Sequence, residues 1–90
     1  MSYYAYDLKG YVGDAASNGG WYRFAKWLRE QPEGSEMRFL GEEGCCDEPA
    51  TLAKELKAAH LDDVSDESLR KNFIDLASKA NGILVISNTA

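Results

Sequence analysis

Tyr4, Tyr6 and Leu8 alternate with Ala5, Asp7 and Lys9. This period of two, in residue types that favour extended backbone, predicts a half-buried strand over positions 3 to 9. The pattern then breaks. From Gly10 to Gly20 the run GYVGDAASNGG collects residues that tolerate positive φ or close turns through their own side chains, and it reads as a loop. Trp21, Phe24, Ala25 and Leu28 recur at i, i+3, i+4 and i+7 opposite Arg23, Lys26 and Glu30, which predicts an amphipathic helix ended by Pro32 and Gly34. Met37 and Phe39 alternate with Glu36 and Arg38 up to Gly41, the pattern of a short second strand.

Leu52, Ala53, Leu56, Ala59 and His60 share one face of a helix expected from about 49 to 61, with Pro49 in its first turn and Asp47 or Glu48 at its positive end. In LDDVSDESL, Ser65 reads as an N-cap, Asp66 and Glu67 fill the first turn, and Val64 is placed to pack against Leu69. Leu69, Phe73, Leu76, Ala77 and Ala80 continue that helix to a left-handed cap at Asn81-Gly82. The unbroken run Ile83-Leu84-Val85-Ile86 reads as the central strand, buried on both faces. The resulting order is β-α-β-α-α-β: an α+β fold, or a small α/β one, with about three helices on a three-stranded sheet. Strand direction is left open by this order.

Ninety residues form a single small domain, residues 1–90, since two cores would leave each half too short to bury its own surface. The formal charge of −5 opposes attraction to a polyphosphate backbone, so direct nucleic-acid binding is not expected. No apolar run reaches the ~18 residues that cross a bilayer, and the first ten residues lack a leader's basic and apolar regions. A cytoplasmic protein without a membrane partner is therefore expected. Cys45 and Cys46 are adjacent and poorly placed to bridge each other.

Catalytic chemistry finds little support in these residues. Gly10, Gly13, Gly19 and Gly20 precede a helix whose first amides could receive an anion, but their spacing matches neither a phosphate loop nor a dinucleotide fingerprint. Cys45 and Cys46 with Asp47, Glu48 and His60 make a poor metal or thiol site, because adjacent cysteines rarely reach two corners of one tetrahedron and acidic neighbours disfavour a thiolate. His60 fits a helix-end cap better than a base, and none of the serines sits in a nucleophile elbow. Glu42-Glu43 and Asp62-Asp63 read as solvated turn charges. No cofactor, metal or catalytic residue is assigned.

The charge is nevertheless uneven. Residues 1–29 carry +2, residues 30–48 carry −6 and residues 49–90 carry −1. Eight of the ten aromatic residues precede residue 30, and Tyr22 and Trp27 fall at the margins of the apolar stripe, where a large amphipathic ring can anchor an interface. These features lead to the expectation of a non-enzymatic regulator or inhibitor that binds a protein with a basic surface. Its contact set would be Tyr22, Trp27, Glu30, Glu33, Glu36, Glu42, Glu43, Asp47 and Glu48. A narrower version has the acidic face mimic nucleic acid. The alternative is a small anion or nucleotide bound at Gly13, Gly19 and Gly20, before Trp21.

Overall fold

A computed structural model describes residues 2–59 and 64–88, the side chains of 64–66 excepted. The chain runs β1 (Ser2–Asp7), β2 (Gly10–Ser17), α1 (Asn18–Arg29), α2 (Glu36–Glu43), β3 (Cys45–Cys46), α3 (Pro49–Ala58), α4 (Val64–Lys79) and β4 (Leu84–Ser87). The four strands lie in the order β2-β1-β4-β3 with every neighbouring pair antiparallel, so the fold is α+β with four helices among the described residues. Direction is thereby settled, and the expected three strands become four.

The stretch expected to be a loop is β2 together with the first turn of α1. Its pairing with β1 slips twice: Tyr3 opposes Ala16, Tyr4 opposes Asp14, Ala5 opposes Gly13 and Tyr6 opposes Tyr11, which leaves Ala15 and Val12 without direct partners. Two such bulges break the period of two that marks a strand in sequence. Small residues are required there because α4 comes close. A Cβ on Gly13 would sit 3.0 Å from Leu76 Cδ2. Leu8 and Lys9 keep negative φ, and the β1–β2 turn is closed by Gly10 at φ +120°.

The second strand expected at 37–39 is instead α2. Ser35 caps it, its Oγ accepting from Arg38 N at 3.1 Å, and the residues buried are Met37, Leu40 and Gly41, a helical spacing rather than an alternating one. Gly41 is a contact position, not a stop: a Cβ there would lie 2.8 Å from Leu28 Cβ and 2.9 Å from the α1 backbone at Ala25 O and Arg29 N. The crossing of α1 and α2 depends on that missing methyl. Gly44, left-handed at φ +74°, ends α2 and turns the chain into β3.

Other expectations shift by smaller amounts. α1 begins at Asn18, three residues before Trp21, because Ser17 Oγ accepts from Gly20 N at 3.1 Å. α3 starts at Pro49 as expected but ends at Ala58. His60, Leu61, Asp62 and Asp63 lie outside the described residues, as do the side chains of Val64, Ser65 and Asp66, so the capping expected of His60 and Ser65 lies outside them too. β4 is an inner strand between β1 and β3, yet only Leu84 and Ile86 are buried; Val85 and Ser87 are half-exposed, so one face is covered and not two. The core unites Phe24 and Leu28 of α1, Leu40 of α2, Leu52 and Leu56 of α3, and Phe73 and Leu76 of α4 over Ala5, Ala15, Cys46, Leu84 and Ile86 of the sheet. All helices thus share one side of the sheet.

Candidate functional site

Register decides what the other side of the sheet displays. Tyr6 opposes Tyr11 on β2 and Val85 on β4, and Val85 opposes Cys45 on β3. Directly paired residues project to the same face, so Tyr11, Tyr6, Val85 and Cys45 form a row across all four strands. A second row holds Asp14, Tyr4 and Ser87. No residue of either row is buried, and Tyr11 is 60% exposed. The Tyr11 ring lies 6.0 Å from that of Tyr6 and 6.4 Å from that of Tyr4, and its hydroxyl donates to Asp14 Oδ1. That hydrogen bond raises the Tyr11 pKa, so the phenol stays neutral.

Acidic groups border the β3 end of this face. Burial raises the pKa of the Cys45 thiol, and the charges of Asp47, Glu43 and Glu36 raise it further. Cys46 points the opposite way, into the core. Its thiol, donating to Glu36 Oε1 at 3.3 Å, is pushed far above its ordinary pKa, chiefly by burial. Neither thiol is tuned as a nucleophile. Among the described residues, no three His, Cys, Asp or Glu side chains are grouped to hold a metal ion.

The expected contact set is divided by the fold. Glu36 faces inward, accepting from both Cys46 Sγ and Glu48 N (2.9 Å), while Glu55 accepts from Met37 N at 3.0 Å and Glu36 N at 3.3 Å. These two carboxylates tie α2 to β3 and α3. Glu30, Glu33, Glu42, Glu43, Asp47 and Glu48 are exposed, with Glu42 3.6 Å from Arg38. Glu30 and Glu33 precede α2, whereas Glu42 and Glu43 end it, so the acids are spread along that helix and form no single patch. Trp27 is half-buried and stacked on Phe24 with centroids 5.6 Å apart, while Tyr22, 72% exposed, stands on α1 away from the acidic border. Gly13 lies inside β2 against Leu76, Gly20 is buried beside Ser17, and Gly19 alone of the three is exposed, so no glycine cradle exists.

Asp14 and Val85 are not singled out by the sequence, and Cys45 is weighed there only as a thiol or metal ligand, whereas Tyr4, Tyr6 and Tyr11 belong to the aromatic residues before residue 30 expected at the contact. The alternation at positions 3 to 9 carried the signal for two of them, but it did not say which side of the strand the helices would cover. Both sheet edges are blunted. Asn72 Nδ2 donates to Asp14 O (3.0 Å) and Ala15 O (2.9 Å) at the outer side of β2, and β3 is only two residues long.

Comparison with known proteins brings no match to a protein family, a curated protein or a solved structure. Among the described residues, no helix is long and apolar enough to cross a membrane.

Proposed function

We propose that this chain is a non-enzymatic binding protein whose open sheet face docks a protein with a basic surface. The observation that carries the reading is the row Tyr11, Tyr6, Val85 and Cys45 on the open face, whose β3 end at Cys45 lies within the electrostatic reach of exposed Glu43 and Asp47. Tyrosine offers large contact area at small entropic cost, and its ring faces attract guanidinium and ammonium groups. The acidic border adds steering and selects against acidic partners. Docking onto the face is favoured over strand addition, because the Asn72 cap and the brevity of β3 leave little edge to extend.

Affinity capture followed by reconstitution with the purified partner tests this. A partner that fits binds the native chain, releases as salt rises, and is lost to both Tyr6→Ser/Tyr11→Ser and Glu43→Lys/Asp47→Lys while circular dichroism stays native. A partner indifferent to both pairs of substitutions overturns the reading.

A further inference from the structure

A separate feature lies on the helical side of the sheet. α1 carries Arg23, Lys26 and Arg29 and no acid in its twelve residues. Among the described residues, ion pairs join Arg38 to Glu42, Arg70 to Glu67 and Lys79 to Asp75, and none engages the three cations of α1. In a chain with fifteen carboxylates and ten basic groups, three neighbouring cations without a carboxylate partner among the described residues mark a place where negative charge can be supplied from outside.

A groove of about 510 Å³ runs beside these groups, with Tyr3 and Trp21 against it and Asn18, Tyr22, Arg23 and Arg29 of α1 completing its lining. Its aromatic part is braced. Trp21 is stacked on buried Phe73 with centroids 5.8 Å apart and planes 21° apart, and the Tyr3 ring lies 5.6 Å from Trp21 on another side. Arg23 folds back over Gly19, where a Cβ would lie 3.6 Å from its guanidinium. Arg29 gives one N–H to Gly41 O at 3.2 Å, which steadies it while its other donors remain for a ligand.

We propose that this groove binds a small aromatic phosphate of mononucleotide type, its ring against Trp21 and Tyr22 and its phosphate on Arg23. Base-on-ring stacking needs a flat, rigid π surface, and charge-assisted hydrogen bonds to phosphate need guanidinium groups without a competing carboxylate. Trp21, Tyr22, Arg23 and Arg29 all line the groove, and its volume falls in the range of small-molecule sites. The net charge of −5 opposes a long polyanion, whereas a single phosphate beside Arg23 senses mainly charges within ~8 Å. The site is independent of the sheet face.

The test titrates the chain with adenosine 5′-monophosphate, adenosine, ribose 5-phosphate and inorganic phosphate, read by two-dimensional NMR. Adenosine monophosphate is expected to give saturable shifts at the Trp21 indole and the Gly19 and Tyr22 amides, with each fragment binding at least about tenfold more weakly. Arg23→Gln and Tyr22→Ala, both at exposed positions, are expected to weaken it about tenfold each with unchanged circular dichroism. The proposal is overturned by no saturable shift at millimolar nucleotide, by a fragment binding as well as the nucleotide, by shifts confined to the Tyr4, Tyr6 and Tyr11 face, or by variants that bind normally.

Discussion

The two faces of the sheet invert the usual relation between residue size and burial. Toward the helices it presents Ala5, Gly13, Ala15, Cys46, Leu84 and Ile86; away from them it presents Tyr4, Tyr6, Tyr11, Val85 and Cys45. Ala5 of β1 and Gly13 and Ala15 of β2 are small where α4 comes close enough for Leu76 to fill the space a methyl on Gly13 would take, while Tyr3, at the start of β1, packs beside Trp21. The rings on the outside are therefore not surplus core. Side-chain size on each face follows the distance to the next layer, and on the open face no such layer exists among the described residues.

Neighbouring positions on one strand give the sharpest way to break this comparison. Leu84→Ala, at a fully buried site, should cost about 2–5 kcal/mol in denaturant unfolding. Val85→Ala, its half-exposed neighbour, should cost about 1 kcal/mol or less. Equal losses would mean that the outer face is packed after all. Overfilling the inner face comes next: Ala5→Leu, at a residue with no exposure, should destabilise by about 1–3 kcal/mol, seen as a lower denaturation midpoint.

On the outer face, Tyr11→Ser should lower stability by only about 0.2–1 kcal/mol, the worth of a cross-strand pair, while weakening partner binding much more. A large stability loss without a binding loss would make the tyrosine cluster structural.

The edge where the faces meet is sensitive to acid. Asp7 accepts from Asn81 N at 2.8 Å, Asn81 Nδ2 at 3.0 Å and Lys9 N at 2.8 Å, joining the β1–β2 turn to the start of β4. These donors, Asn81 N foremost, lower its pKa, so its stabilisation is full above the ordinary carboxylate range and is lost as pH falls through the depressed value. Melting temperatures taken from pH 5 to pH 2 should show Asp7→Asn less stable at the upper end and less dependent on acid.

The adjacent thiols provide the finest contrast. An alkylating reagent should modify half-buried Cys45 first and reach Cys46 only on unfolding, as mass spectrometry of timed samples would show. Because the folded state holds the Cys46 proton to higher pH than the unfolded chain does, the thiol should also reduce stability as pH rises above ~8.5. Early modification of Cys46 would contradict the inward register of β3.

Legibility followed the length of the uninterrupted pattern. The α4 stripe of Phe73, Leu76 and Ala77 is buried as expected, and Gly82 at φ +83° supplies the left-handed residue beyond it. The α2 segment alternates at Met37 and Phe39 like a strand, while the helical set Met37, Leu40 and Gly41 contains a glycine whose burial comes from contact with α1. Asp47 and Glu48 stay solvent-exposed, but Glu36, expected beside them, was captured by hydrogen bonds from residues ten and twelve positions ahead.

The sequence by itself determined a mixed helix-and-sheet chain, the placement of three amphipathic helices and the unevenness of charge, because periodicity and composition act locally along the chain. Only the tertiary structure decided that β2 is a strand, that α1 and α2 cross at Gly41, and that Tyr11, Tyr6, Val85 and Cys45 stand in one row. Bulges, a glycine contact and cross-strand register arise from how distant segments meet, and a one-residue change in register would turn a strand's outer face inward.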